Sequence, residues 1–265
     1  MSAGAVYTIV EREFKRFFRQ RGRFLSSLAR PLFWLFVVGP GLGRLIRSPG
    51  DVAYQQFLFP GVLGIVVLFG SILSSLSTVY DREFGTLRIM LVAPISRLTI
   101  VTGKTLSGAL LSVAQGWILL VLAPFLGLKI GPAQLLAISL YLFLASIAIA
   151  SLGMLMTTRI DSLENYSTIM NFVVFPMFFL SGGLYPVKLL PALLRYVVYL
   201  NPLTYGIDLF KHALLPAAAS GSLGTDISLP LDVSVLVLFT GIAMALATLL
   251  FDKEAKLVKR AEPRA

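Results

Sequence analysis

Cysteine is absent, so no disulfide can brace this chain and no thiolate can serve as nucleophile or metal ligand. Histidine occurs once, at His212, which excludes a cluster of histidines around a metal. Neither a His-Glu-x-x-His nor a Gly-x-Ser-x-Gly pattern is present, so hydrolase chemistry has no obvious nucleophile or metal site. Charge is scarce as well. Charged residues make up 14%, against roughly 25% in a soluble domain. No charge at all occurs over Val52–Tyr80, Thr105–Leu128, Ile130–Thr158, Asn165–Val187 or Val233–Phe251.

What is present is oil in span-length runs. Hydrophobic residues reach 57% and the mean hydropathy is +0.84. A hydrocarbon core of about 30 Å takes roughly 20 apolar residues of helix. The five charge-free runs meet that length. A sixth, Leu32–Gly43, meets it if it extends back through Phe24–Leu28 with Arg30 snorkelling. The expected fold is an all-α integral membrane protein, one transmembrane domain over 1–265 with spans at 24–47, 57–80, 98–128, 133–158, 165–184 and 231–251.

The net charge of +10 is read as flanking charge rather than as a nucleic-acid surface. With six spans, 17 Lys and Arg residues fall on one side and 6 on the other. That puts both termini in the cytoplasm, as an even span count requires, and predicts a multi-pass protein of the plasma or inner membrane. Residues 5–23 read as a helix in the lipid interface. Val6, Ile9, Val10, Phe14, Phe17 and Phe18 share one face, with Glu11, Arg12, Lys15, Arg16 and Arg19 opposite. A cleaved signal peptide is not expected, because no small-residue site follows the apolar run. Between spans five and six, 185–215 is apolar but cut by Pro186, Pro191 and Pro202. Its two pieces are too short to span, and suit an external re-entrant helical hairpin.

Four fragments have simpler readings than chemistry. Gly103-Lys104-Thr105 lacks the first glycine of a phosphate loop, so Lys104 reads as a snorkelling anchor. Leu180-Ser181-Gly182-Gly183 and Gly39-Pro40-Gly41-Leu42-Gly43 lack the context of nucleotide motifs. Asp208 and His212 read as an interfacial polar pair at helical spacing, and Asp232 as a flank of span six. Spans two to five hold no acid in their interiors, which disfavours a proton-coupled transporter.

One charged segment interrupts the oil: DREFGTLRIMLVAPISR, residues 81–97. Asp81 is expected to cap a short helix, with Asp81 and Glu83 complementing its dipole. Phe84, Leu87 and Leu91 form an apolar edge, and Pro94 ends the helix. A loop that merely reversed the chain would not need that stripe, so the segment reads as a docking surface.

Residues 81–104 resemble the segment after the second span in permease subunits of type-2 ATP-binding-cassette (ABC) exporters. The matching residues are Arg82-Glu83, Gly85-Thr86-Leu87, Pro94-Ile95-Ser96 and Gly103-Lys104. Ser181-Gly182-Gly183-Leu184-Tyr185-Pro186, then Leu190-Pro191 and Asn201-Pro202-Leu203-Thr204-Tyr205, resemble the outer hairpin of the same family. Arg88 stands where the family often has an acid. The resemblance implies a permease that pairs with a second copy or a close relative. It also implies a separate ABC ATPase, which binds the ATP and magnesium while this chain binds no cofactor. The segment 81–97 would then be a coupling helix, with Phe84, Leu87 and Leu91 seated in the ATPase and Arg82, Glu83 and Arg88 setting register. The cargo implied is amphiphilic: a drug, a lipid or a lipid-linked glycan. Gly61, Gly64, Gly70, Ser71, Ser74, Ser75 and Ser77 either line the route or only pack helices closely. The alternatives are a membrane anchor or assembly subunit that transports nothing, and a secondary transporter.

Overall fold

The computed structural model describes residues 3–20, 22, 29–41, 54–215 and 224–261. Residues 24–28 and 42–47 of the first expected span, Arg21, Arg23, the loop at 48–51 and residues 216–223 lie outside the described residues. Among the described residues no strand occurs, and the protein is an all-α integral membrane protein. In chain order the helices are α1 (Ala3–Arg19), α2 (29–41, with a π-helical middle turn Trp34–Val38), α3 (Tyr54–Glu83) and α4 (Thr86–Val92). They continue with α5 (Arg97–Leu120), α6 (Pro132–Thr157), α7 (Leu163–Phe179), α8 (Ala192–Leu200), α9 (Pro202–Leu214) and α10 (Leu229–Ala261).

Among the described residues three stretches are long and apolar enough to cross a membrane: α3, α6 and residues Leu229–Phe251 of α10. They occupy very different positions. The apolar window of α3 is 94% buried and that of α10 only 17%, so α3 is the hub and α10 a peripheral wall. That fits the composition of α3, which is apolar on every side. The helix packs against α5, α6, α7 and α9, while α10 lies on α6 and α9. At 17 residues α7 rises about 25 Å, less than a full hydrocarbon thickness. The range expected as span three, 98–128, breaks at Leu120, where the 3₁₀ turn Ala123–Leu126 follows.

Close packing on α3 comes from small residues. A Cβ on Gly61 would sit 2.2 Å from the Gly183 carbonyl oxygen, and one on Gly64 would meet Ile207 at 2.5 Å. Gly70 abuts Ser112 and Gln115, Ser74 abuts Gly108, and Ser75 abuts Gly153. Ser71 donates to the Ser146 carbonyl and Ser77 accepts from Lys104. All seven small residues therefore face other parts of the same chain, six of them neighbouring helices and Gly61 the turn after α7. Of the two readings open at the sequence level, packing is the one their surroundings support.

The helix expected over 81–97 is not one helix. Residues 81–83 are the last turn of α3, and α4 covers only Thr86–Val92. Gly85 separates them with φ +76°, a left-handed backbone that glycine adopts without Cβ strain. Nothing lies within 4 Å of where its Cβ would be, so backbone conformation alone calls for glycine there. Pro94 does stand just past α4, and Ser96 caps α5 by accepting from the Thr99 amide at 3.2 Å.

Candidate coupling site

Three consecutive residues at the end of α3 each reach a different element. Asp81 is buried and binds α1 and α5 together. Its carboxylate takes Arg12 and Lys104 on one oxygen and Arg16 on the other, at 3.3 Å. Arg82 turns the other way. Its guanidinium donates to the Thr157 and Ile160 carbonyls at the end of α6, the latter at 2.6 Å, and lies 3.6 Å from Asp161. Those carbonyls would otherwise be orphans of a helix terminus, and a cation there also suits the helix dipole. Glu83 accepts from the backbone N–H of Leu163 at 3.1 Å, filling a donor at the start of α7. The run Asp81-Arg82-Glu83 is thus a junction tying α3 to α1, α5, α6 and α7.

This placement corrects three expectations. Asp81 does not cap a following helix; it closes the preceding one and holds a buried ion cluster. Lys104 does not snorkel to water. Its side chain is 3% exposed, and its ammonium binds Glu13 at 2.6 Å, Asp81, and Ser77 at 3.2 Å. Arg82 turns its guanidinium into this chain rather than outward to set register, while Glu83, which is exposed, also accepts from the start of α7. The sequence signal for the cluster was available: Glu13 is the one acid among the basic residues of α1 that turns toward the apolar face. Arg12 donates to it at 2.9 Å. Burial by itself raises the Glu13 carboxyl, but the Lys104 charge, with hydrogen bonds from Lys104 and Arg12, outweighs burial and holds it at about 2. Ile9, one turn earlier, lies against Gly103, where a Cβ would meet it at 3.0 Å. Gly103-Lys104 is therefore the seat of α1, the glycine giving room and the lysine giving charge.

The apolar face of α4 is also redistributed. Leu87 and Leu91 point inward, onto Ile100, Val101, Met154, Ala247 and Phe251. They anchor α4 and cannot enter a partner. The outward face is Phe84, Ile89 and Val92, which are 67%, 73% and 74% exposed, with Arg88 exposed beside them. Phe84 stacks on Tyr80, over which Arg16 lies at 5.0 Å. Arg97 closes the far end of α4 by donating to the Leu91 carbonyl at 2.8 Å. A two-turn helix is marginal alone; this one is pinned at both ends and along its inner face. Thr86 occupies its first position.

A family model described as ABC-2 type transporter matches residues 4–215. The chain belongs to the ABC-2 type transporter family. It is similar to the putative transport permease ycf38 of Cyanophora paradoxa, 30% identical over 78% of this chain and 74% of that one. It also resembles Nodulation protein J of Rhizobium leguminosarum bv. viciae, with 29% identity over 72% and 74%. This is a transport permease subunit and a multi-pass membrane protein.

At the other end of the permease the segment after α7 is held as tightly. Ser181 Oγ donates to the Phe178 carbonyl at 2.6 Å and accepts from the Gly183 amide at 3.3 Å. Gly182 has φ +72°. Asn201 caps α9 through Leu203, while its amide donates to the carbonyls of Met177 at 2.7 Å and Leu180 at 2.9 Å. It thereby fastens the α8–α9 corner to the end of α7. Pro191 precedes α8, Pro202 takes the first position of α9, and Pro186 is buried. Between α2, α3 and α7 lies a cavity of about 400 Å³, with Arg30, Phe33, Trp34, Ile65, Phe69, Asn171, Phe175 and Phe178 in its lining. Its walls are aromatic, and Arg30 lies over the Phe69 ring at 4.4 Å. Sequence reasoning named Arg30 only as a snorkelling flank and did not name the others, because the cavity is a product of how three separated helices meet.

Proposed function

We propose that this permease is the membrane half of an ATP-driven exporter and is moved by a separate ABC ATPase, which binds ATP and magnesium. Family membership implies an ATP-binding partner. The observation that carries the coupling reading is the outward face of α4. Phe84 in the turn before it and Ile89 and Val92 on it are exposed apolar side chains of a helix locked to α3, α5, α6 and α10. A stiff lever with a greasy tip suits the transfer of displacement from a partner below to the helices above. The orientation that puts both termini in the cytoplasm places α4 on the side where ATP is available. A second copy of the chain, or a close relative, completes the route. The aromatic cavity at the α2–α3–α7 face, with one arginine and one asparagine, suits an amphiphilic cargo with a polar or anionic head, such as a lipid or lipid-linked glycan.

The test is co-purification with the ATPase. Ile89→Glu and Val92→Glu place charge on exposed positions and leave the fold intact. Both are expected to lower ATPase recovery at least tenfold and to abolish export, with the permease's Tm unchanged. Undiminished recovery with both substitutions would overturn the assignment of this face. Residual export after proton-gradient collapse, with loss on ATP depletion, separates this reading from a secondary transporter.

A further inference from the structure

Away from α4, five ionisable side chains are gathered where α9 meets the first turn of α10. Lys211 is committed: its ammonium binds Asp226 at 2.8 Å and stands 3.9 Å from Asp208. Asp208 receives the backbone N–H groups of Asp226 and Ile227, each at 2.9 Å. Asp232 is different. It is fully buried, and no donor reaches either of its carboxylate oxygens. A buried carboxylate without a partner is costly. Its oxygen lies 3.6 Å from His212 Nε2, which is also 3.7 Å from an Asp208 oxygen.

We propose that Asp208, His212 and Asp232 bind one divalent transition-metal ion, of the zinc class. One oxygen from each carboxylate and one imidazole nitrogen all lie within 4.8 Å of one another. Bonds of about 2.1 Å to a shared ion turn separations of 3.6–3.7 Å into ligand angles of roughly 120°, near those of a four-coordinate site. The helix supplies two ligands at i and i+4 from one face, and α10 supplies the third. His212 Nε2–H donates to the Ile227 carbonyl at 3.0 Å; when Nε2 takes the ion it gives up that proton, the imidazole keeping the one on Nδ1, and the carbonyl is left beside it as a fourth donor. The two backbone donors on Asp208 hold it in position, as outer contacts do for metal-ligating carboxylates. With all three carboxyls ionised, Asp208, Asp226 and Asp232 against Lys211 carry two net negative charges, which one divalent ion would neutralise. His212 is about one-fifth exposed and gives the ion its way in. The ion ties α9 to α10 and so fixes the end of the hairpin. The inference stands apart from the coupling reading.

His212 is the protein's one histidine, so the full chain is purified on a tag without histidine and stripped with chelator. Titration with Co²⁺ is expected to saturate at one ion per chain with visible absorption, and Zn²⁺ to displace it. At a hundredfold excess over Kd, Zn²⁺ raises Tm by about 5–10 °C. The near-isosteric Asp232→Asn and the substitution His212→Gln each weaken Co²⁺ binding at least thirtyfold. Glu164→Gln, on the exposed first turn of α7, does not. Absence of saturable one-to-one binding by the unaltered chain overturns the proposal. So does unchanged affinity in His212→Gln, which decides the matter if Asp232→Asn fails to fold. A wild-type protein whose stability follows pH but ignores metal would mean that a shared proton fills the site, and would overturn it too.

Discussion

Lys104 shows how much one side chain can hold. Its ammonium is the cation that Glu13 and Asp81 share inside the protein. Removing one partner of a buried ion pair is far more damaging than replacing the set. Lys104→Met is expected to destabilise the protein by about 3–5 kcal/mol, and adding Glu13→Gln to restore part of the loss. Thermal unfolding in detergent checks both. The same cluster sets a pH dependence. Glu13 is depressed from 4.5 to about 2, so its stabilisation is complete above the unfolded value and disappears as pH falls from about 4.5 toward 2. Glu13→Gln should flatten that part of the acid limb of the stability curve. At Gly85 the surrounding space is open and only φ is special. Gly85→Ala should therefore cost only about 1–2 kcal/mol. Gly61→Ala, which drives a methyl into the Gly183 backbone, should cost about 3 kcal/mol.

Among elements, α4 depends on its neighbours for its position. Its two buried leucines fix its rotation, and Glu83 fixes where α3 stops relative to α7. Glu83→Ala should leave the ATPase bound, because the outward face is untouched. ATP hydrolysis should then continue while export falls several-fold, measured together in proteoliposomes. A parallel fall of both activities would place Glu83 in assembly instead. The helix α1 is a second input to the same junction. It reaches α3 through Arg12 and Arg16, which meet Asp81, with Arg16 also over the Tyr80 ring, while Ile9 packs on α5.

For the whole molecule, the central helix α3 joins the two ends. One end carries Asp81, Arg82 and Glu83, and the other touches Gly183 through Gly61 and Leu184 through Tyr54, whose hydroxyl donates to the Leu184 carbonyl at 3.2 Å. A displacement at α4 therefore has a rigid path to the segment that Asn201 fastens. Substituting Asn201 with Leu leaves two carbonyls and one amide without their partner. The expected outcome is a permease that still binds its ATPase but transports poorly, with about 2–4 kcal/mol lower stability. Export and unfolding assays on one preparation check this.

Sequence alone determined the membrane character and the helical class, because bilayer thickness converts charge-free runs into helices. It also marked places where helices end or meet, through Arg82-Glu83, Gly85, Pro94, Asn201 and Pro202. Spacing along one helix could not say which stripe of α4 faces outward. Leu87 and Leu91 are claimed by Met154 and Phe251, which lie far away in the chain. Lys104 reads as a snorkelling anchor, Asp232 as a flank and Asp208 as an interfacial partner of His212 in one dimension, because the value of a charge depends on what surrounds it. Only the tertiary fold brought Glu13 to Lys104 and Asp232 to His212, and burial, by removing water, made those pairings decisive.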